Sequence, residues 1–334
     1  MRGTAGEVLD LLRAWDAESG EPEPLLVETS GSTGEPKRVL LSRAAMRASA
    51  DATLRRLGGP GQWLLNLPPT YVAGLQVLFR SVRAGTDPVV DDDVRAGAVA
   101  MTGERRYVSL VPTQLHRLLD DPDAVAALRT FSTVLVGGAA VPAPLRARAA
   151  GAGVTVVATY GMSETCGGCV YDGMPLDGVA VVIGADGRIR LRGPVLFDGY
   201  DGRSDLTAQV MQDGWFTTAD LGRLDHDGRL QVLGRVDDVI VSGGVNVPGP
   251  AVAARLREHP AVQAAEVVGV PDGEWGQRVV ACVVGPLTLE DARDWVGAEH
   301  PRSWAPRELV VLDAVPLLPN GKTDRRALQE LAGG

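Results

Sequence analysis

The sequence predicts an α/β protein: a large N-terminal α/β domain with an added antiparallel β part, then a small C-terminal α+β domain. Three observations carry this expectation. From Leu25 to Leu233 short apolar runs alternate with helix-length segments, the pattern of α/β layers. From Gly178 to Val232 the apolar runs crowd together. After Gly234-Arg235 a new pattern begins. With 334 residues the chain also exceeds the roughly 250 to 300 residues at which a single core stops growing.

Each element follows from local pattern. Met1 to Asp16 holds Val8, Leu9, Leu11, Leu12 and Trp15, broken by Glu7, Asp10 and Arg13. That spacing predicts an amphipathic helix and not the unbroken apolar segment of a signal peptide. Trp63 to Leu67, Tyr107 to Val111, Thr133 to Val136 and Val154 to Ala158 read as strands, with helices over Thr113 to Leu119 and Pro142 to Ala150. Val179 to Ile183, Arg188 to Leu191 and Leu230 to Leu233 are strands of antiparallel hairpins, with turns at Asp186-Gly187 and Asp227-Gly228. Beyond the boundary, Pro250 to Glu258 and Leu289 to Val296 look helical, while Val262 to Val270 and Val279 to Val284 look extended. The expected domains are therefore 1–234 and 235–334.

Composition narrows the chemistry. Hydrophobic residues make up 45% and charged residues 22%, which suits a folded globular chain. A net charge of −9 supplies no basic field for a phosphate backbone, so nucleic acid is not an expected partner. No apolar run reaches the 18 or so residues that a membrane span needs, and the expected location is the cytoplasm. Cys166 and Cys169 form a lone Cys-x2-Cys without a second pair or a suitably spaced His to complete a zinc site. They read as small buried thiols in a glycine-rich turn. His116, His226, His259 and His300 are scattered singly, which argues against a metal site or a His-based triad. Of 33 basic residues only Lys37 and Lys322 are lysines. A chain so nearly free of lysine points to two positions that need a compact ammonium on a flexible stem.

The strongest motif is Thr29-Ser30-Gly31-Ser32-Thr33-Gly34-Glu35-Pro36-Lys37. Two glycines permit a tight turn with exposed N–H groups, the hydroxyls add donors and Lys37 adds charge, so the segment can hold a polyphosphate. It is not a Walker A loop, because Pro36-Lys37-Arg38 stands where Gly-Lys-Ser/Thr would be needed. Further along lie Tyr160-Gly161-Met162-Ser163-Glu164, Gly214 to Asp220, Gly234-Arg235-Val236-Asp237-Asp238 and Pro319-Asn320-Gly321-Lys322. Tyr160 can stack on a base, Ser163 can donate to a phosphate and Glu164 can hold a hard cation. Asp220, in what reads as an aromatic-flanked loop, can accept from both ribose hydroxyls. Asp220 and Arg235 read equally well as members of a surface ion pair.

Taken in order, these five motifs resemble the adenylate-forming superfamily of acyl-CoA synthetases, peptide-synthetase adenylation domains and luciferases. The resemblance implies that Thr29, Ser30, Gly31, Ser32, Thr33, Gly34 and Lys37 grip the phosphates of ATP. It implies that Tyr160, Gly161 and Gly138 border the nucleotide, Ser163 meets the α-phosphate, Glu164 the Mg2+, and Asp220 and Arg235 the ribose. Lys322 is then the catalytic lysine of adenylation and Asp237 the hinge about which a mobile C-terminal domain swings. Gly243 and Gly244 line the path of the CoA thiol. The same resemblance leaves a homodimer open.

Within the superfamily, the segments around Leu67 to Arg80, Val111 to Gln114, Val136 to Ala140 and Met174 to Gly178 are similar to those of the o-succinylbenzoate:CoA ligases. That resemblance implies an acid with two carboxylates, with Tyr71, Arg80, Gly137 and Gly138 around it. Tyr71 departs from the His common at its position. Arg80 either pairs with the carboxylate that is not activated or lays its stem on apolar surface with its head in water. Another carboxylic acid, or a carrier-protein thiol in place of CoA, stays open. Lys322, Asp237 and Glu164 together argue against a module that binds nucleotide without turnover, which would not need all three. Only 28 residues precede Thr29, a shortened N-terminal region for the superfamily. It leaves one side of the acid pocket open or shifts a dimer interface.

Overall fold

The computed structural model describes residues 3–29, 37–316 and 323–333. Its centre is a seven-stranded sheet in the order Val89–Val90, Gln62–Leu65, Arg106–Leu110, Thr133–Val136, Val156–Met162, Gly167–Tyr171, Met174–Pro175. The first five strands are parallel and the last two antiparallel. Thr133–Val136 is buried at every position. A parallel strand covered on both faces has no need of alternation, which is why these runs read as continuous apolar segments. Val108, Leu110, Leu115, Leu128, Val134 and Val136 join one core beneath the flanking helices.

On another side of the sheet lies the helix Val72–Ala84, which buries Leu75, Val77, Leu78 and Phe79. It also buries Gln76, Arg80 and Ser81. The N-terminal helix Ala5–Ala17 is fixed by a Thr4/Glu7 capping box and buries Val8, Leu12 and Trp15. Trp15 meets Phe79 edge-on at 5.9 Å.

Smaller sheets complete the chain. Leu25–Glu28, Arg38–Leu41 and Gly199–Tyr200 form an antiparallel three-stranded sheet. A five-stranded sheet has the order Ala180–Ile183, Arg188–Arg192, Trp215–Leu224, Met211–Gln212, with Leu230–Arg235 also on Trp215–Leu224. The expected turns are made: Gly187 N–H donates to Gly184 O at 2.9 Å and Gly228 N–H to Asp225 O at 3.0 Å. One expectation is corrected, since Asp220 lies inside the ten-residue strand Trp215–Leu224 and not in a loop. The polar Thr-Thr-Ala-Asp run hid the strand, because its alternation of buried and half-exposed positions emerges only from pairing.

Two compact units are formed. One comprises Met1–Val182, Arg190–Thr217 and Leu224–Leu230; the other comprises Ile183–Ile189, Thr218–Arg223 and Gln231–Gly334. In the second, strand Gly276–Val284 pairs with Ala264–Asp272, with Glu308–Val311 and, at Gly276, with Val239–Ser242. Successive side chains point to opposite faces of a strand. Val279, Ala281 and Val283 therefore enter a core with Val252 and Leu256 of helix Gly249–Arg257 and with Ala292 and Val296 of helix Leu289–Gly297. Val280 and Cys282 enter the opposite core with Leu328 and Ala332 of helix Arg325–Gly333. Among the described residues no helix is long and apolar enough to cross a membrane.

The cysteines stand as small buried thiols. Cys166 lies in a turn and Cys169 in strand Gly167–Tyr171, while Cys282 sits in the second unit; all are free and 0% exposed. Burial pushes the Cys166 thiol up, Cys169 to about 12 and Cys282 to about 11. A charged thiol reagent at pH 8 is therefore expected to label none of them in the folded protein and all three in denaturant; fast labelling of the native protein is the contrary result.

Candidate active site

In open α/β sheets ligands bind outside the carboxyl ends of the parallel strands, and a cavity lies there. It measures about 170 Å³ and is bordered by Leu67 and Pro68, by Leu110 and Val111, by Gly137 and Gly138, and by Thr159 and Gly161. The first three pairs sit at or just past the end of a parallel strand, while Thr159 and Gly161 lie within Val156–Met162, beyond Ala158, the last residue of its parallel pairing. Helix Val72–Ala84 closes one wall with Tyr71, Gln76 and Arg80, and Gly167, Gly168 and Tyr171 close another. Of the residues expected at the site, Tyr71, Arg80, Gly137, Gly138 and Gly161 are thus brought to one cavity.

Arg80 departs from one of its two sequence readings, the one that puts its head in water. It is only 4% exposed, so its head is not in water. Its guanidinium carbon lies 5.1 Å from the Trp63 ring centroid, and Nη2 donates to the Tyr171 hydroxyl at 3.4 Å. Tyr171 Oη is 3.0 Å from Thr53 Oγ1. Nε has no partner, and burial lowers the pKa of the group. A buried cation without a carboxylate leaves a large desolvation cost uncompensated. Tyr71, by contrast, is 52% exposed at the start of the helix.

A second cluster lies in the same unit. Thr29 N–H donates to Lys37 O at 2.9 Å, and Lys37 N–H donates to Thr29 Oγ1 at 3.3 Å. These bonds continue the pairing of Leu25–Glu28 with Arg38–Leu41 and close the chain on either side of residues 30–36. Lys37 Nζ stands 5.1 Å from the Tyr200 ring centroid, and the Tyr200 hydroxyl donates to Glu164 Oε1 at 2.8 Å. Burial, then the Glu164 charge, pushes the Tyr200 pKa up. Ser163 and Glu164 lie in a 3-10 turn after strand Val156–Met162. Tyr160 lies within that strand and does not follow it. Sequence reasoning missed Tyr200; the available signal was a lone aromatic in the polar run Asp198 to Arg203. Ser30, Gly31, Ser32, Thr33, Gly34 and Lys322 lie outside the described residues.

The remaining expected residues belong to the second unit. Arg235 reaches Asp220 Oδ1 at 3.5 Å and Asp237 Oδ2 at 3.4 Å, so all three meet in one ion cluster. Gly243 and Gly244 adopt φ of +58° and +77°. Gly243 N–H donates to Trp275 O at 2.8 Å, and a Cβ on Gly243 would fall 2.6 Å from the indole. Arg307 stacks over the same ring at 3.3 Å.

Among the described residues no group of three or more His, Cys, Asp or Glu could hold a metal. The Glu164 carboxylate nevertheless fits Mg2+, which is commonly held by one or two carboxylates together with substrate phosphates and water. Gly161 marks the tightest backbone approach. The register shifts between Tyr160 and Gly161, and a Cβ at Gly161 would lie 2.0 Å from Gly167 O. Gly161→Ala is therefore expected to lower stability by about 1–3 kcal/mol through overpacking and to cut ligand binding. Gly6→Ala, whose Cβ meets nothing within 4 Å, should leave the thermal midpoint unchanged or raised. Thermal unfolding checks both; equal midpoints would contradict the tight approach.

The AMP-binding enzyme family model matches residues 25–200, and the model of its C-terminal domain matches residues 251–322. A protein from Mycobacterium tuberculosis described as a probable 2-succinylbenzoate–CoA ligase is 48% identical over 320 residues, covering 91% of this chain and 83% of its own. The o-succinylbenzoate CoA synthetase MenE of Bacillus subtilis, solved with the acyl-adenylate intermediate OSB-AMP, is 31% identical with a TM-score of 0.75, over 91% of this chain and 68% of its own. The same enzyme solved with ATP and magnesium ion is 30% identical with a TM-score of 0.74, over 91% and 69%. A family model spanning more than half of the sequence, together with a relative of this identity, means that the chain belongs to the AMP-binding enzymes of the adenylate-forming superfamily.

Proposed function

We propose that the chain is an ATP-dependent o-succinylbenzoate:CoA ligase of menaquinone biosynthesis, working in the cytoplasm where ATP and CoA are at hand. The supporting observation is Arg80, buried in the wall of the cavity with no carboxylate partner among the described residues. An acid with two carboxylates can lose one to activation and still supply a partner for that cation. The names of the relatives point to the same acid.

The reaction has two displacements. A carboxylate oxygen of the acid attacks the α-phosphorus of ATP, and pyrophosphate leaves; the CoA sulfur then attacks the acyl carbon, and AMP leaves. Thr29, Ser30, Gly31, Ser32, Thr33, Gly34 and Lys37 would cradle the departing phosphates, with the donors aimed where charge grows. Ser163 would donate to the α-phosphate, and Tyr160, Gly161 and Gly138 would border the nucleotide. Glu164, oriented by the Tyr200 hydroxyl, would hold the Mg2+ that neutralises phosphate charge; partners of this kind fix a ligand and tune it. Asp220 and Arg235 would take the ribose. Lys322 would supply its ammonium in the first step alone, stabilising charge only where that step needs it. Residues 235–334 would form the swinging domain, with Asp237 as hinge and Gly243 and Gly244 beside the CoA thiol.

With ATP, Mg2+ and CoA, o-succinylbenzoate is expected to cause release of pyrophosphate and AMP and to exceed other acids in a panel; no acid-dependent pyrophosphate would sink the ligase reading. Arg80→Ala should raise KM for the dicarboxylate roughly 10- to 100-fold, in line with about 1.5–3 kcal/mol for hydrogen bonds to a charged group. Two analogues serve as controls: β-benzoylpropionate lacks the ring carboxylate and o-butyrylbenzoate the chain carboxylate. Whichever reacts identifies the activated group, and its KM should hardly move. An equal rise for both acids would make Arg80 a structural residue.

A further inference from the structure

We propose that Gln76 is a second specificity-determining residue of the acid pocket, forming with Arg80 a two-donor clamp on the carboxylate that is not activated. This deepens the proposed ligase function and rests on it. Gln76 lies one helical turn before Arg80 on Val72–Ala84, and residues four apart share a helix face. Both border the same cavity. Gln76 is only 1% exposed, yet its side chain is almost without partners. Nε2 donates to Met46 Sδ at 3.4 Å, a weak acceptor, and Oε1 is unpaired. Arg80 Nε is unpaired as well. Buried amides in folded proteins are ordinarily hydrogen-bonded, so two orphaned polar atoms on one wall of a cavity mark bonds reserved for a ligand.

The chemistry of the ligand follows from the donor inventory. Arg80 offers only N–H groups, and a carboxylate only accepts. The Gln76 amide serves such a ligand by turning its NH2 toward it. The terminal torsion of a glutamine is broad and roughly two-fold, and a half-turn here gives up no strong bond. Gly167 packs against the stem of the same side chain: a Cβ there would come within 3.3 Å of Gln76 Cγ. Arg80 meanwhile is held by Trp63 and by the Tyr171–Thr53 hydroxyl pair, so one donor is fixed and the other adjusts.

The test compares Gln76→Met and Gln76→Glu with the wild-type chain, using o-succinylbenzoate and the reactive monocarboxylate analogue. KM and kcat are read from acid-dependent pyrophosphate release. Methionine keeps the length and suits the contact with Met46; KM for the dicarboxylate should rise about 10-fold, the factor carried by one hydrogen bond to a charged group, with less than about a twofold change for the analogue. Glutamate would neutralise Arg80 and repel a second carboxylate, so KM for the dicarboxylate should rise roughly 100-fold or more while the analogue is still turned over. If both acids are affected alike, or the dicarboxylate KM stays put in both variants, the clamp is wrong while the ligase reading stands. A wild-type protein inactive on o-succinylbenzoate would overturn both.

Discussion

One wall of the cavity holds a guanidinium that the fold buries with no counter-ion among the described residues. Arg80 is ringed by Trp63, Tyr171 and Gln76, and none of these carries a negative charge. Taking a cation out of water costs several kcal/mol unless an opposite charge compensates. The protein meets that cost from the surrounding core, which includes Trp63 and Tyr107, both 0% exposed and 4.8 Å apart between ring centroids. A carboxylate on the proposed substrate would supply the missing charge, and the proposed preference for a second carboxylate rests on that physical ground.

Within the first unit, strand direction sets the rim of that cavity. Parallel strands deliver Leu110, Gly137 and Thr159 to one rim because all run in the same direction. The three-stranded sheet is separate, yet strand Gly199–Tyr200 carries an aromatic residue that touches Lys37 and Glu164 at once. Two segments far apart in sequence, one basic and one acidic, are held by a single phenol.

Much of the fold was legible because buried parallel strands and amphipathic helices write their burial into the chain. Thr133–Val136 and the helices Pro112–Leu118 and Leu289–Gly297 lie within a residue or so of their expected bounds. Strands with polar residues were harder. Val156–Met162 runs on through Tyr160, and Trp215–Leu224 contains Asp220, because pairing partners and not side-chain pattern define them. Arg80 stood out as a charge on a largely apolar helix, but whether it is buried depends on what Tyr171 and Trp63 place over it. Gln76 and Tyr200 left almost no trace, since a neutral glutamine or a single tyrosine acquires meaning only from its neighbours in space. The phosphate-loop segment was singled out by its glycines, hydroxyls and lysine, and Lys322 by the scarcity of lysine and by motif order, a different kind of information from periodicity.

The two ends of the large sheet have a consequence of their own. Among the described residues it terminates on Val89–Val90 at one side and on Met174–Pro175 at the other, strands of two residues each, the second ending in a residue that has no N–H to offer. Exposed sheet margins are templates for runaway stacking of chains, and brevity and proline are means by which natural proteins blunt them. At these two margins the large sheet offers another molecule's strand little to extend.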